Sequence, residues 1–154
     1  MGPDAIAVLL GAKLATRSND TDYRFRQDSD FWYLTGFAHP NAVAVLRTDG
    51  GPEYTLYVEP RNPEIETWTG YRPGTEGATR DYGADEAFAA GEFPSHLGQI
   101  LAKAKRIYHV LGRDTTVDAK IIETLEGMRR RSREGVVPAD AIFDPRSIVH
   151  EMRM

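Results

Sequence analysis

The stretch Arg26-Gln27-Asp28-Ser29-Asp30-Phe31-Trp32-Tyr33-Leu34-Thr35-Gly36-Phe37 sets the frame for the rest of the chain. Polar, hydrogen-bonding residues run directly into a dense aromatic segment, which a glycine then stops. Phe31, Trp32, Tyr33 and Leu34 favour an extended, half-buried backbone, and the segment reads as a central strand. Trp32 and Tyr33 bring an N–H and an O–H that need partners once buried. Asp28, Ser29 and Asp30 can supply them, or bond their own backbone and set the entry turn.

Upstream, Ala5 to Leu10 is a short continuous apolar run, the pattern of a strand covered on both faces. Gly11 to Asp22 is polar and reads as a loop, and Tyr23-Arg24-Phe25 leads from it into the aromatic segment. Downstream, His39-Pro40-Asn41 makes a turn, because the residue before a proline is pushed out of the helical region. Ala42 to Leu46 is a second buried-type strand. Asp49-Gly50-Gly51-Pro52 signals a hairpin, with Tyr54 to Val58 returning as the antiparallel partner. Asn62-Pro63-Glu64 is an N-cap, a proline at the first helical position and an acidic first turn, opening a short helix that Gly70 closes.

Tyr71 to Gly77 reads as irregular, and Tyr82 to Phe93 as loop with at most a short strand or turn. Pro94 to Ala104 is helical, with Leu97, Ile100, Leu101 and Ala104 on one face. Ile107 to Leu111 is a strand. Asp114-Thr115-Thr116 caps a helix whose stripe is Val117, Ile121, Ile122, Leu125 and Met128. Val136-Val137-Pro138 reads as an edge strand, and Asp144 to Glu151 as a turn and a short helix. A meander followed by strands alternating with helices predicts an α/β fold, a mixed β-sheet flanked by helices.

The 154 residues fit a single domain, long enough to bury about 70% of the unfolded surface. A net charge of -4 argues against an electrostatic nucleic-acid binder. The absence of cysteine rules out disulfides, thiolate zinc sites and cysteine nucleophiles, and fits a reducing, cytoplasmic setting. No apolar run is long enough to span a bilayer, so no membrane partner is expected. Met1-Gly2-Pro3 brings no cationic lead of a signal peptide.

The residues that could carry chemistry resolve mostly into structure. His39 precedes a proline, His96 lies on a helix without a carboxylate at metal-ligand spacing, and His109 is in a strand. His150-Glu151-Met152-Arg153-Met154 starts like His-Glu-x-x-His but ends on methionine, so no metal site is predicted. Gly70, Gly74 and Gly77 open no long helix after a strand and no Gly-Lys-Ser/Thr follows, which leaves no phosphate loop. No serine sits in a Gly-x-Ser-x-Gly elbow. Arg129-Arg130-Arg131 with Arg133 falls where a helix C-terminus favours cations, which outweighs a nucleic-acid role. Trp68, Tyr71 and Arg72, on a short helix and its glycine- and proline-rich exit, have the composition of an interface hot spot. Such a surface can stack on a peptide and clamp a carboxylate, or Trp68 can fold back onto the sheet.

Arg17-Ser18-Asn19-Asp20, the aromatic stretch Arg26 to Phe37, and Ile65-Glu66-Thr67-Trp68-Thr69-Gly70-Tyr71-Arg72 together resemble the N-terminal domain of Xaa-Pro aminopeptidase (aminopeptidase P). Leu111-Gly112-Arg113-Asp114 and Val149-His150-Glu151-Met152-Arg153 match as well, in family order. The resemblance implies a creatinase/prolidase-type N-terminal domain with a ribonuclease H-like motif, spanning residues 1–154. It also implies that the chemistry belongs to a C-terminal pita-bread domain, absent here, where carboxylates and a histidine hold two manganese ions that activate water. No catalytic or metal residue is therefore expected in this chain, nor a cofactor of its own.

What the resemblance implies for this domain is a share of the substrate cleft, for peptides with proline at the second position, and assembly of a homo-oligomer. The segment with Trp68, Gly70, Tyr71 and Arg72 is similar to one that approaches a neighbouring subunit's active site, which favours an exposed Trp68. The family's lead-in helix before the first strand is not recognisable. The same fold is reused without catalysis in the FACT histone chaperone, so a stand-alone peptide- or protein-binding module is the alternative.

Overall fold

A computed structural model describes residues 1–14, 16–18, 21–22 and 24–154. Its centre is a six-stranded mixed sheet. Strand β1 (Ala5–Leu10) lies in the middle, antiparallel to β4 (Val43–Arg47) and parallel to β7 (Arg106–Tyr108). Strand β5 (Tyr54–Val58) returns antiparallel beside β4 from the Asp49–Pro52 hairpin, and β6 (Glu86–Ala89) extends that edge in parallel. At the other edge β8 (Ala141–Phe143) runs parallel to β7. Two further short strands, β2 (Thr16–Ser18) and β3 (Thr21–Asp22), pair with each other apart from this sheet. The loop expected over Gly11 to Asp22 thus contains a two-stranded ribbon; Ala15, Asn19, Asp20 and Tyr23 lie outside the described residues.

Alternation along β1 explains why both faces of the sheet are covered. Ile6 and Val8 point to one side, where they join Val45, Tyr57 and Ile107. Two helices close that side: α4 (Phe93–Leu101) with Phe93, Leu97, Ile100 and Leu101, and α5 (Thr115–Arg130) with Ile121, Leu125 and Met128. Ile122, expected on the α5 stripe, is instead 55% exposed, because the neighbouring Ile121 takes the core position and a helix turns by about 100° per residue. Ala44, Leu56 and Val58 face the other side, against Phe31, Phe37, Ala78 and Ala84. Asp114 caps α5 as expected, its carboxylate accepting from the amides of Thr116 and Val117.

The aromatic segment corrects the sequence reading. Ser29–Thr35 is helix α1, not a strand. The Asp28 carboxylate accepts from the Phe31 amide at 2.9 Å, and Gly36 closes the helix at a φ of 67°. Gln27 fixes the entry and exit together: its Oε1 accepts from the Ala12 amide, while its Nε2 donates to the carbonyls of Phe37 and His39. Helical spacing buries Phe31 and Thr35 and turns Trp32 and Tyr33 outward, at 57% and 44% exposure. The β preference of four bulky residues yields to a good cap at each end.

Three smaller corrections follow the same physics. Helix α3 (Gly74–Tyr82) occupies part of the stretch read as irregular, its small residues Gly74, Gly77 and Ala78 buried. Val136-Val137-Pro138 pairs with nothing in the sheet; the edge strand comes later, where Ala141 sits opposite Arg106. Strand β7 stops at Tyr108, short of the predicted Leu111. The last helix, α6 (Arg146–Arg153), leans on α1, with Arg153 bonded to Asp30 at 2.7 Å and the Tyr33 hydroxyl donating to the Met152 carbonyl. No helix among the described residues is long and apolar enough to cross a membrane.

Candidate functional site

The segment that links β5 to α3 forms helix α2 (Pro63–Thr69). Its ends are set locally. Asn62 accepts from the amides of Glu64 and Ile65, Pro63 takes the first turn, and the Gly70 amide closes on the Glu66 carbonyl at a φ of 86°. None of its residues is buried. Trp68 is 88% exposed, and Ile65 and Tyr71 are more than half exposed beside it. A large indole left in water has no folding role, so this ridge is the surface of the domain that most needs an explanation by binding.

Beneath the ridge lies a layer of charges and rings. Arg61 grips Glu66 through Nε at 3.3 Å and Nη2 at 3.1 Å, and its guanidinium lies 5.1 Å from the Tyr71 ring centroid. Glu66 also accepts from the Arg72 amide. The Arg61 contact holds the Glu66 carboxyl below the usual carboxylate range. Gly74 is required where it stands: its φ is 67°, and a Cβ there would meet Arg61 Cγ at 2.6 Å.

Arg72 points inward. Its Nε donates to Glu59 at 3.0 Å, and Nη1 donates to the carbonyls of Thr69 and Tyr71. Its side chain is only 12% exposed. The other oxygen of Glu59 accepts from the side-chain Nδ2 of Asn41. His39 completes the layer, edge-on to Phe37, Tyr71 and Tyr82. Burial lowers the His39 pKa, Arg72 lowers it further, and Glu59 opposes.

Of the three residues singled out in the sequence, Trp68 and Tyr71 are presented to solvent and Arg72 fastens the presenting loop. The layer that Glu59, Asn41 and His39 form was missed, because the His39-Pro40-Asn41 turn and the residue that follows β5 are distant in sequence and only the fold brings them together. The signal at hand was Glu59, a carboxylate at the very end of an apolar strand.

Elsewhere His109 and His96 are engaged in hydrogen bonds within the fold. His109 is buried, with ring nitrogens 2.9 Å from the Val8 carbonyl and 2.9 Å from Asp118, which in turn accepts from the Gly112 amide. His96 meets the Tyr57 hydroxyl at 2.9 Å. No three of His, Cys, Asp or Glu among the described residues come together as a metal-binding group. An open cleft of about 500 Å³ at the end of β1 is lined by Leu10, Val43, Phe93, Pro94 and Val117, with a Lys13–Asp114 ion pair of 2.6 Å on its rim.

Comparison with known proteins places these features in a family context. The family described as "Aminopeptidase P, N-terminal domain" matches residues 1–108. Xaa-Pro aminopeptidase of Escherichia coli is 36% identical over 156 aligned positions, covering 100% of this chain and 35% of that protein. Human Xaa-Pro aminopeptidase 3 is 35% identical across 70% of this chain and 22% of its own length. Among solved structures, Pseudomonas aeruginosa aminopeptidase PepP superposes with a TM-score of 0.89 at 36% identity, over 99% of this chain and 35% of that one. Zinc-substituted E. coli aminopeptidase P in complex with product gives 0.88 at 37% identity, again over 99% and 35%. The chain spans about a third of the length of the first curated relatives.

Proposed function

Because the chain belongs to the aminopeptidase P N-terminal domain family, we propose that it acts as the non-catalytic part of a proline-specific metallo-aminopeptidase. Its work is to shape the substrate cleft and assemble the homo-oligomer, in the cytoplasm. In this reading a separate domain of the parent enzyme holds two manganese ions and releases the N-terminal residue preceding proline. No step is routed through this chain's own side chains; His96, His109 and Asp118 are engaged in hydrogen bonds within the fold. The contribution of this chain is a shaped, rigid surface. Trp68, on the crest of α2, lies against a second copy at the mouth of its cleft, with Tyr71 and Ile65 flanking it.

The observation that supports this most is an indole 88% exposed on a helix without a single buried residue. Such a crest has the anatomy of a hot spot: a large rigid aromatic, a second aromatic beside it, and charges fixed behind it. Sedimentation equilibrium of the chain tests it. Trp68→Ala should weaken self-association by tenfold or more, on the order of 2 kcal/mol for a hot-spot aromatic, and leave the unfolding midpoint unchanged. Equal association in the variant would refute the role given to this surface and favour a stand-alone binding module.

A further inference from the structure

Helix α2 contributes nothing to the core, so something polar must set its direction. Two carboxylates do this from opposite sides. Glu66, on the helix, gathers Arg61 and the Arg72 amide. Glu59, which directly follows β5, takes the Arg72 guanidinium with one oxygen and the Asn41 carboxamide with the other. Asn41 is itself pinned, with a φ of 62° and its backbone N–H bonded to the Ala12 carbonyl. Arg72 then reaches back to the carbonyls of Thr69 and Tyr71, which bracket the helix exit. A single carboxylate therefore ties the sheet, the turn before β4 and the exit of α2 into one unit.

We propose that Glu59 is a positioning residue for Trp68, aiming the α2 crest through Arg72; this rests on the reading of Trp68 as a contact surface. Glu59 faces the Asn41 carboxamide and the Arg72 guanidinium at once and accepts from each with a different oxygen. A glutamine there could keep Arg72 with its oxygen while the Asn41 carboxamide turned to accept from its NH₂ group, so the informative change is Glu59→Ala. It removes the acceptor of both donors together. Arg72, mostly covered, keeps only backbone carbonyls as acceptors, and its link to β5 is lost.

The test uses the whole chain with Trp32→Phe, which leaves Trp68 as the sole indole of the two. Trp68 fluorescence anisotropy and amide hydrogen exchange along α2 are read at concentrations too low for self-association. Glu59→Ala should lower the anisotropy and speed α2 exchange about tenfold. Exchange in β1 and α5 should stay as in the parent. Arg72→Gln should do the same, and the double variant should add little to either, since both act through one contact. Unchanged anisotropy and α2 exchange in a folded variant would overturn the assignment. So would faster exchange everywhere with a collapsed melting transition, because Glu59 would then be a general support. Each readout is taken on the free chain, so failure of the Trp68 surface reading leaves this result intact, and the reverse.

Discussion

His39 sits half-buried at the foot of α2, where a proton would be unwelcome. Burial is the largest cause of its lowered pKa, and the neighbouring Arg72 guanidinium adds to it, with Glu59 pulling the other way. The unfolded chain, with an ordinary imidazole at 6.5, binds a proton that the folded chain refuses. Stability from this site is therefore complete above pH 6.5 and falls as the pH drops below that value through the lower folded-state pKa. Denaturant midpoints measured at pH 7.5 and 5.5 should fall toward acid in the parent, and fall less in His39→Gln. Identical slopes in the two proteins would remove His39 from the account. This residue shows why the layer beneath α2 was not legible in the sequence: a histidine before a proline reads only as a turn. Its partners, Tyr71, Arg72 and Tyr82, stand more than thirty positions away.

At the level of elements, α1 is where local preference and capping disagree, and capping wins. The Asp28 carboxylate serves the helix N-terminus with Oδ1 and meets Arg113 with Oδ2 at 3.0 Å. Asp28→Ala should cost about 1–2 kcal/mol in equilibrium unfolding, and Asp28→Asn clearly less, since an amide oxygen still caps. Equal losses for the two would mean that the Arg113 pairing, and not the cap, holds the segment. The signal for this helix was present in the polar lead-in, Asp28-Ser29-Asp30, and in Gly36 at the other end. The run Phe31 to Leu34 masked it, because three consecutive aromatic residues of high β preference outweigh a seven-residue helix in a local reading. Strands β1, β4 and β5 were legible for the opposite reason: burial on both faces makes their apolar runs continuous, and the Asp49–Pro52 turn admits only a hairpin. Helix α5 was legible from its cap and stripe together, except at Ile122.

On the scale of the molecule, the fold class and the family were readable because several motifs stand in order along one chain, each weak alone. The exposed Trp68 crest was readable in composition, but its mounting was not. An arginine that looks like a carboxylate clamp in the sequence turns out to brace the crest from below, through Glu59. The domain that results is a sheet covered on both faces, with Phe31, Phe37, Tyr57 and Phe93 in its cores and Trp68 and Tyr71 presented on the α2 crest. The proposal that follows concerns chemistry as much as shape: this chain would present and position a contact surface, and cleavage would belong to another part of the parent enzyme. The direct measurement is to incubate the purified chain with an Xaa-Pro peptide and manganese and follow the released N-terminal residue by mass spectrometry. No release above the rate without protein is expected. Metal-dependent turnover that tracks the chain through purification would contradict it.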